Sequence, residues 1–273
     1  MKCSMVQGLA EVGGVKRGKA VRCGTFNSSP LEERELVTGD FSGGLAVWDV
    51  DDLDRPVEEV KGAHTDLVHC VTGGPGLLVS GGREGVVKVW DRRDLRRSVL
   101  SVEGEASLRP EVWTVEAGSD CETVCAGYSN GDVRLFDCRA GKVSWESSLE
   151  RGVTCLELLT GSRLLGGSAG GSLVVWDLSS NQRSESRLER STVWSARTSP
   201  HNENLLVSSL TSGALHLLSL SQLNVCRLSS LQPTDRPVTS LSWSRDRPGL
   251  AVSTGFDQNI RVVIVTNIET EQK

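Results

Sequence analysis

The chain has 273 residues, of which 38% are apolar and 24% are charged, a composition typical of a soluble globular protein. It contains no uninterrupted apolar run of about 18 residues and opens without the apolar stretch of a signal peptide, so we expect neither a membrane span nor secretion. The formal net charge of −5 argues against a general nucleic-acid-binding protein, which usually presents a basic face.

The amino-terminal segment contains GGVKRGK, residues 13–19, which matches half of the phosphate-loop motif. The next residue is Ala20 rather than the serine or threonine that holds magnesium, and no parallel strand or helix frames the loop. We interpret the segment as a basic connection in front of the first inner strand. A nucleotide-binding enzyme remains an alternative that depends on this motif alone.

A glycine-rich turn followed by a β-branched strand recurs along the rest of the chain, as in SGGREGVVKVWD, residues 80–91. The anchor positions of the copies are Trp48, Trp90, Phe136, Trp176, Leu218 and Val263. Their successive spacings are 42, 46, 40, 42 and 45 residues. A period of about 40–45 residues is the range expected for the blades of a β-propeller.

Each period divides into four short strands with period-two alternation, bounded by glycine, serine, asparagine and aspartate. We name them a, b, c and d from the axis outwards, with the anchor residue in strand c. One four-stranded sheet cannot bury both of its faces, whereas sheets stacked around an axis cover one another. The sequence therefore predicts an all-β propeller of six recognisable four-stranded blades in one domain, residues 1–273.

The third position of strand a is small in every copy. These positions hold Cys23, Cys70, Thr114, Cys155, Ser195 and Ser240. None of the eight cysteines forms a CxxC pair. We interpret them as reduced, buried packing residues rather than a disulfide framework or metal ligands.

The glycine-rich turn followed by VKVWD resembles the WD repeat. That family typically has a Gly-His pair before strand a and an aspartate in the b–c turn, and blade 2 approaches this pattern with GAH at residues 62–64. By this resemblance we expect the family's buried hydrogen-bond network in blade 2 only. Its members there would be His64, Ser80, Glu84 and Trp90.

A closer resemblance covers nearly the whole chain. Six stretches, in order, are similar to the Monad family of WD-repeat dynein axonemal assembly factors: CGTF, TGDFSGGLAVWD, GREGVVKVWD, VCAGYSNGDVRLFD, STVW and FDQNIRVVIVT. The resemblance implies a cytoplasmic, non-catalytic adaptor in the preassembly of dynein arms. Its implied partners are prefoldin-like and Hsp90-linked co-chaperone components, dynein subunits or other assembly factors. We expect no nucleic-acid, membrane or small-molecule partner.

One departure from the family concerns the ring. The family is a seven-bladed propeller, whereas this chain opens near the outer strand of the family's first blade, so residues 1–20 are predicted to be a remnant of that blade. Residues 9–12 either pair with residues 260–265 and close a ring of six blades, or the chain is a seven-blade design with one blade largely missing. The resemblance favours the second alternative. An open gap would expose two sheet edges.

By resemblance to WD-repeat proteins, partners bind on the face of the b–c turns. Two columns of residues reach that face: the second position of strand a, and the position before the b–c turn. The predicted partner-binding residues from these columns are Trp113, Trp194, Phe41, Phe256, Arg83, Arg22 and His69. Tryptophan and arginine often dominate binding energy at interfaces. The alternative is that Trp113 and Trp194 only fill the axial channel.

A basic run, RRDLRR, lies in the connection between strands c and d of blade 2, on the opposite face. Its arginines are Arg92, Arg93, Arg96 and Arg97. Because arginine pairs with carboxylates through two parallel hydrogen bonds, a dock for an acidic peptide is one hypothesis. The alternative is a solvated loop.

No catalytic arrangement is visible in the sequence. The histidines His64, His69, His201 and His216 lack metal-site spacing, and there is no nucleophile elbow. His216 alternates with leucines on an anchor strand, which indicates a packed or edge position. We predict no enzymatic activity, no catalytic residue, no metal and no cofactor. A substrate receptor or signalling scaffold unrelated to cilia is the alternative function, since the same fold serves many roles.

Overall fold

The fold is all-β. The computed structural model describes residues 20–28, 33–74, 76–103, 109–118, 122–188 and 190–266. These residues form six antiparallel sheets in which strands consecutive in sequence are neighbours. No helix in these ranges is long and apolar enough to cross a membrane.

The first three blades each have four strands in the order a-b-c-d. Blade 1 comprises β1 (Val21–Thr25), β2 (Glu35–Asp40), β3 (Leu45–Asp49) and β4 (Glu58–Val60). Blade 2 comprises β5 (Val68–Gly74), β6 (Leu77–Gly82), β7 (Val86–Asp91) and β8 (Leu100–Glu103). Blade 3 comprises β9 (Val112–Ala117), β10 (Thr123–Tyr128), β11 (Asp132–Asp137) and β12 (Lys142–Ser148).

The next two blades repeat this order, and the sixth has three strands among the described residues. Blade 4 comprises β13 (Val153–Leu159), β14 (Arg163–Ser168), β15 (Ser172–Asp177) and β16 (Gln182–Arg187). Blade 5 comprises β17 (Val193–Ser199), β18 (Asn202–Leu210), β19 (Leu215–Ser221) and β20 (Asn224–Leu231). Blade 6 comprises β21 (Val238–Trp243), β22 (Leu250–Gly255) and β23 (Ile260–Ile264).

The predicted repeat alignment is confirmed by strand register. In every blade the anchor residue of strand c pairs with an apolar residue of strand b. The pairs are Trp48 with Leu36, Trp90 with Leu78, Phe136 with Val124, Trp176 with Leu164, Leu218 with Leu206, and Val263 with Ala251. The aromatic anchors of the first four blades are all buried. The propeller prediction is therefore confirmed, with three strands of the sixth sheet among the described residues.

The hydrogen-bond network expected in blade 2 is present. His64 Nδ1 lies 2.6 Å from Glu84 Oε1, and His64 Nε2 lies 2.7 Å from Ser80 Oγ. The Trp90 indole N–H donates to the same serine oxygen at 2.9 Å. The His64 side chain is fully buried and links the b–c turn to strand b, while the Ser80 hydroxyl links strand b to Trp90 of strand c.

Consecutive blades meet through a repeated close contact. In four blades a strand-b glycine lies against the small strand-a residue of its own blade and the first valine of the next blade. These sets are Gly39 with Cys23 and Val68, Gly81 with Cys70 and Val112, Gly127 with Thr114 and Val153, and Gly167 with Cys155 and Val193. The predicted small column is therefore a blade-to-blade packing surface.

The cysteines of this column are free thiols. Burial raises the pKa of Cys23 to about 12 and also raises the pKa of Cys70 and of Cys155. A thiol with a raised pKa stays neutral at physiological pH and packs as a small apolar group. The eight-cysteine composition thus needs no disulfide to account for these positions.

Replacing Gly127 with alanine is expected to lower the free energy of unfolding by about 1–3 kcal/mol, because the core has no room for the added methyl. A Cβ there would lie 2.5 Å from Val153 Cγ1 and 2.8 Å from Thr114 Cγ2. Urea denaturation measures the change. Gly170→Ala is the matched control, because its Cβ would lie 3.4 Å from Arg151 Cδ, an ordinary contact. Equal losses in both variants would contradict this account of blade packing.

Blade 6 presents an open sheet edge among the described residues. Its outer strand β23 carries Ile260 and Ile264, each 62% exposed. Arg245 of blade 6 donates to the side-chain oxygen of Asn27 in blade 1 at 3.0 Å. The predicted strand of residues 9–12, and with it the closure of the ring, lies outside the described residues.

Candidate functional site

One hydrogen bond, repeated in all six blades, builds the face on which the b–c turns lie. The residue before the turn donates its backbone N–H to the carbonyl of the residue before strand a. The pairs are Phe41 with Ala20, Arg83 with Leu67, Ser129 with Glu111, Ala169 with Gly152, Thr211 with Thr192, and Phe256 with Pro237. This bond places the two predicted columns next to each other. We call this surface the b–c-turn face.

A single carboxylate, that of Glu111, gathers three of the predicted partner-binding residues. The indole N–H of Trp113 donates to it at 3.0 Å, and Arg83 Nε donates at 3.0 Å. His69 Nε2 lies 3.1 Å from the same group and acts as the donor, since an ionised carboxylate only accepts. Trp113, Arg83 and His69 are thus held in one cluster, which we call the Glu111 cluster.

The cluster sets the charge states of its members. The Trp113 hydrogen bond, together with those from Arg83 and His69, outweighs partial burial and lowers the pKa of Glu111. Burial, reinforced by the charges of Arg22 and Arg83, lowers the pKa of His69 despite the nearby carboxylate. At neutral pH the cluster therefore holds an ionised Glu111, a charged Arg83 and a neutral His69.

Sequence reasoning missed Glu111. It stands directly before strand a of blade 3, where the other five blades have Ala20, Leu67, Gly152, Thr192 and Pro237. The sequence signal that could have identified Glu111 is that it is the one acidic residue at a position that is uncharged in the other five blades. Its backbone N–H donates to Ser129 Oγ at 3.0 Å, which fixes the residue against the b–c turn.

The two predicted tryptophans lean towards the following blade. The ring of Trp113 lies so close to Gly152 that a Cβ added to Gly152 would collide with it. Trp194 lies against Phe256, with ring centroids 6.5 Å apart, and its indole N–H donates to Thr211 Oγ1 at 3.1 Å. Each ring therefore spans a blade junction on the b–c-turn face.

The remaining predicted residues complete this face. Phe41 is 52% exposed and Phe256 is 67% exposed. Arg22 is exposed, and its charge acts on His69 of the next blade. The b–c-turn face thus presents exposed aromatic rings and arginines, which suits recognition of a protein segment.

On the opposite face, the arginines of RRDLRR are not all solvated, because several of them form ion pairs. Arg92 is half-buried and bridges to blade 1, 2.7 Å from Glu35 and 3.5 Å from Glu58. Arg93 and Arg96 pair with the neighbouring Asp91 and Asp94 at 3.2 Å and 2.9 Å. Arg92 therefore links blade 2 to blade 1 and is not free to bind a partner. Only Arg93, Arg96 and Arg97 of the predicted basic patch remain candidates for binding an acidic peptide.

The other predicted features do not form a reactive site in the described ranges. His216 is buried, as its strand pattern indicated, and His64 belongs to the blade 2 network. Within the ranges described, no three metal-ligating side chains converge. The GGVKRGK motif lies outside those ranges.

Family and fold comparisons agree with this architecture. The family described as WD domain, G-beta repeat matches residues 56–91 and 226–263. A chain in the crystal structure of a mitotic checkpoint complex has the same fold, with a TM-score of 0.82 and 19% identity over 93% of this chain and 77% of that one. The computationally designed Ika8 protein matches with a TM-score of 0.70 and 20% identity, covering 90% of this chain and 71% of its own.

Named relatives extend along almost the whole chain. Dynein axonemal assembly factor 10 of Xenopus tropicalis is 33% identical, covering 93% of this chain and 82% of the relative. The human relative of the same name is 32% identical with the same coverage, and that of Chlamydomonas reinhardtii is 29% identical over 95% of this chain and 84% of its own. The chain belongs to the dynein axonemal assembly factor 10 family of WD-repeat proteins.

Proposed function

We propose that this chain is a non-catalytic interaction scaffold in the cytoplasmic preassembly of axonemal dynein arms. Its partners would be prefoldin-like and Hsp90-linked co-chaperone components together with dynein subunits or other assembly factors. The observation that carries the proposal is the family: relatives named dynein axonemal assembly factor 10 match 93% of the chain at 32–33% identity. A propeller supports such a role because it offers a rigid surface for protein partners.

The b–c-turn face is the binding surface in this proposal. Glu111 holds Trp113, Arg83 and His69 in fixed positions before any partner arrives. Side chains that are already ordered lose less conformational freedom on binding, which favours affinity. Fixed aromatic and arginine side chains of this kind are the usual hot spots of protein interfaces.

The double variant Trp113→Ala with Trp194→Ala is expected to reduce partner recovery about tenfold, because the face loses both fixed indoles. The measurement is affinity capture from the cytosol of cells growing cilia, followed by mass spectrometry of dynein chains and co-chaperones. Circular dichroism and a thermal melt establish that the variant is folded.

Two phenylalanines of similar exposure, one on each face, allow the contributions of the two faces to be compared. Phe41 on the b–c-turn face is 52% exposed, and Phe26 in the a–b connection on the opposite face is 54% exposed. Phe41→Ala is expected to weaken capture, whereas Phe26→Ala leaves it unchanged. Unchanged capture by folded b–c-turn-face variants would rule out this surface. Recovery of ubiquitin-ligase or signalling proteins without dynein chains would favour the alternative function.

A further inference from the structure

Exposed arginines follow the b–c-turn face from blade to blade. Five of them, from blades 1, 2, 4, 5 and 6, are Arg22, Arg83, Arg151, Arg190 and Arg236. We propose that this face binds an acidic, extended segment of a partner protein, with its carboxylates on these arginines and an apolar side chain against Trp194 and Phe256. The inference deepens the proposed function by naming the chemistry of the bound segment.

The backbone beside these arginines is fixed. Arg151 directly precedes Gly152, whose carbonyl accepts the 2.8 Å hydrogen bond from Ala169. Arg236 stands in the same position in blade 6, and Arg190 stands one residue earlier in blade 5. Each arginine therefore projects from a loop that is tied to a b–c turn, which limits the conformations it must give up on binding.

Four of the five guanidinium groups are available, whereas Arg83 is paired with Glu111 at 3.0 Å. Within the described ranges, Arg22, Arg151, Arg190 and Arg236 form no ion pair with a carboxylate. The arginines of the opposite face differ: Arg92, Arg93 and Arg96 are paired with acidic groups. An arginine without a carboxylate partner can donate two parallel hydrogen bonds to a carboxylate of another protein.

Several carboxylates of the same face are already engaged. Glu84 is bound to His64, and Asp257 is bound to Arg261 of its own blade. Glu111 accepts from Arg83 and the rest of its cluster.

Other acids remain exposed in the loops of this face. They are Asp66, Glu150 and Asp235, and Glu150 lies 3.4 Å from Arg187. The chain as a whole carries a net charge of −5. The exposed acids of this face do not form ion pairs with Arg22, Arg151, Arg190 or Arg236 among the described residues, so these four guanidinium groups can attract an acidic partner.

The distribution of the arginines favours a polypeptide over a phosphate group. A phosphate is bound where several donors converge on one point, whereas these arginines are spaced one to a blade. An extended chain with several carboxylates reaches successive blades in the same way. Trp194 and Phe256 form an exposed aromatic surface that can bind one apolar side chain. A polypeptide carries such side chains, whereas the sugar-phosphate backbone of a nucleic acid does not.

The test uses the full chain and a fluorescent synthetic peptide that alternates glutamate with serine and carries one leucine. Fluorescence anisotropy is expected to show binding that weakens as salt rises, because exposed charges are screened. Arg151→Glu combined with Arg190→Glu is expected to reduce affinity at least about tenfold and to flatten the salt dependence.

The matched control makes the same charge change on the opposite face. Arg93→Glu combined with Arg96→Glu replaces two arginines that are 88% and 87% exposed, and it should leave binding unchanged. Equal loss in both double variants overturns the proposal, as does equal binding of a peptide with glutamine in place of glutamate. Tighter binding of single-stranded RNA than of the peptide also overturns it.

This outcome is separable from the proposed function. If the acidic peptide does not bind while dynein chains and co-chaperones are still captured through Trp113 and Trp194, the inference fails and the scaffold role stands. If the peptide binds as expected while no dynein chain is captured, the chemistry of the face stands and the assembly role fails.

Discussion

His64→Ala is expected to lower the free energy of unfolding by about 3 kcal/mol, because it removes a buried partner from two other polar side chains. The imidazole is fully buried between Glu84 at 2.6 Å and Ser80 at 2.7 Å. Without it, the Ser80 hydroxyl keeps only Trp90, and the Glu84 carboxylate faces a cavity. Urea denaturation followed by tryptophan fluorescence measures the change.

His69→Ala is the matched control for the same substitution. His69 lies at the b–c-turn face with its side chain 15% exposed, and its bond to Glu111 at 3.1 Å can be replaced by water. We expect a loss below about 1 kcal/mol there. Comparable losses in the two variants would show that the blade 2 network contributes nothing special to stability.

The pH dependence of this network has a defined sign. Burial alone would raise the pKa of Glu84, but the hydrogen bond and charge of His64 outweigh it and lower the pKa. A lowered carboxylate pKa stabilises the fold above the ordinary value of 4.5 and loses that effect as the pH falls. The difference between the wild type and His64→Ala should therefore shrink in acid.

The sequence predicted the repeated parts of the fold well. Trp48, Trp90, Phe136 and Trp176 were aligned from the recurring glycine-rich turn and strand, and all occupy the same register against strand b. Alternation, glycine turns and spacing are local properties, so one blade can be recognised without the others. The blade 2 network was predictable from the resemblance to the WD repeat, because the family pattern names its residue types.

Contacts between blades were harder to foresee. Glu111 meets Arg83 and His69 of the preceding blade, and Arg92 meets Glu35 of blade 1. These side chains are separated by 28 to 57 residues in sequence. Their meeting depends on the angle between neighbouring sheets, which a single strand pattern does not encode. The two columns were predicted to share a face, but the carboxylate that organises them was not.

A second unforeseen group of charges lies at the innermost strands of blades 3, 4 and 5. Glu116 in β9 is only 22% exposed, and its carboxylate lies 3.9 Å from Arg197 of β17. Glu157 of β13 accepts hydrogen bonds from Thr198 at 2.8 Å and 2.7 Å. Arg197 also donates to the Leu156 carbonyl at 2.7 Å. The charges of Glu116 and Glu157 both act on Arg197, so these three groups interact across three blades.

Burial raises the pKa of Glu116 to about 7; Arg197 opposes this shift, and the charge of Glu157 adds to it. The folded chain therefore holds the Glu116 proton more tightly than the unfolded chain, whose glutamate titrates near 4.5. Its contribution to stability is fully present below about pH 4.5 and is lost as the pH rises through about 7. Above that range the propeller carries the full penalty of an ionised, poorly solvated Glu116.

Glu116→Gln is accordingly expected to be more stable than the wild type at about pH 8, by up to about 3 kcal/mol, and nearly equal to it at about pH 4. Urea denaturation of both proteins across this range measures the difference, in which the titration of groups common to both proteins largely cancels. Glu185→Gln, an exposed site on β16, is the matched control and should show no such trend. If the free energies of unfolding of Glu116→Gln and the wild type changed in parallel with pH, the Glu116 carboxylate would be as well solvated in the folded protein as in water.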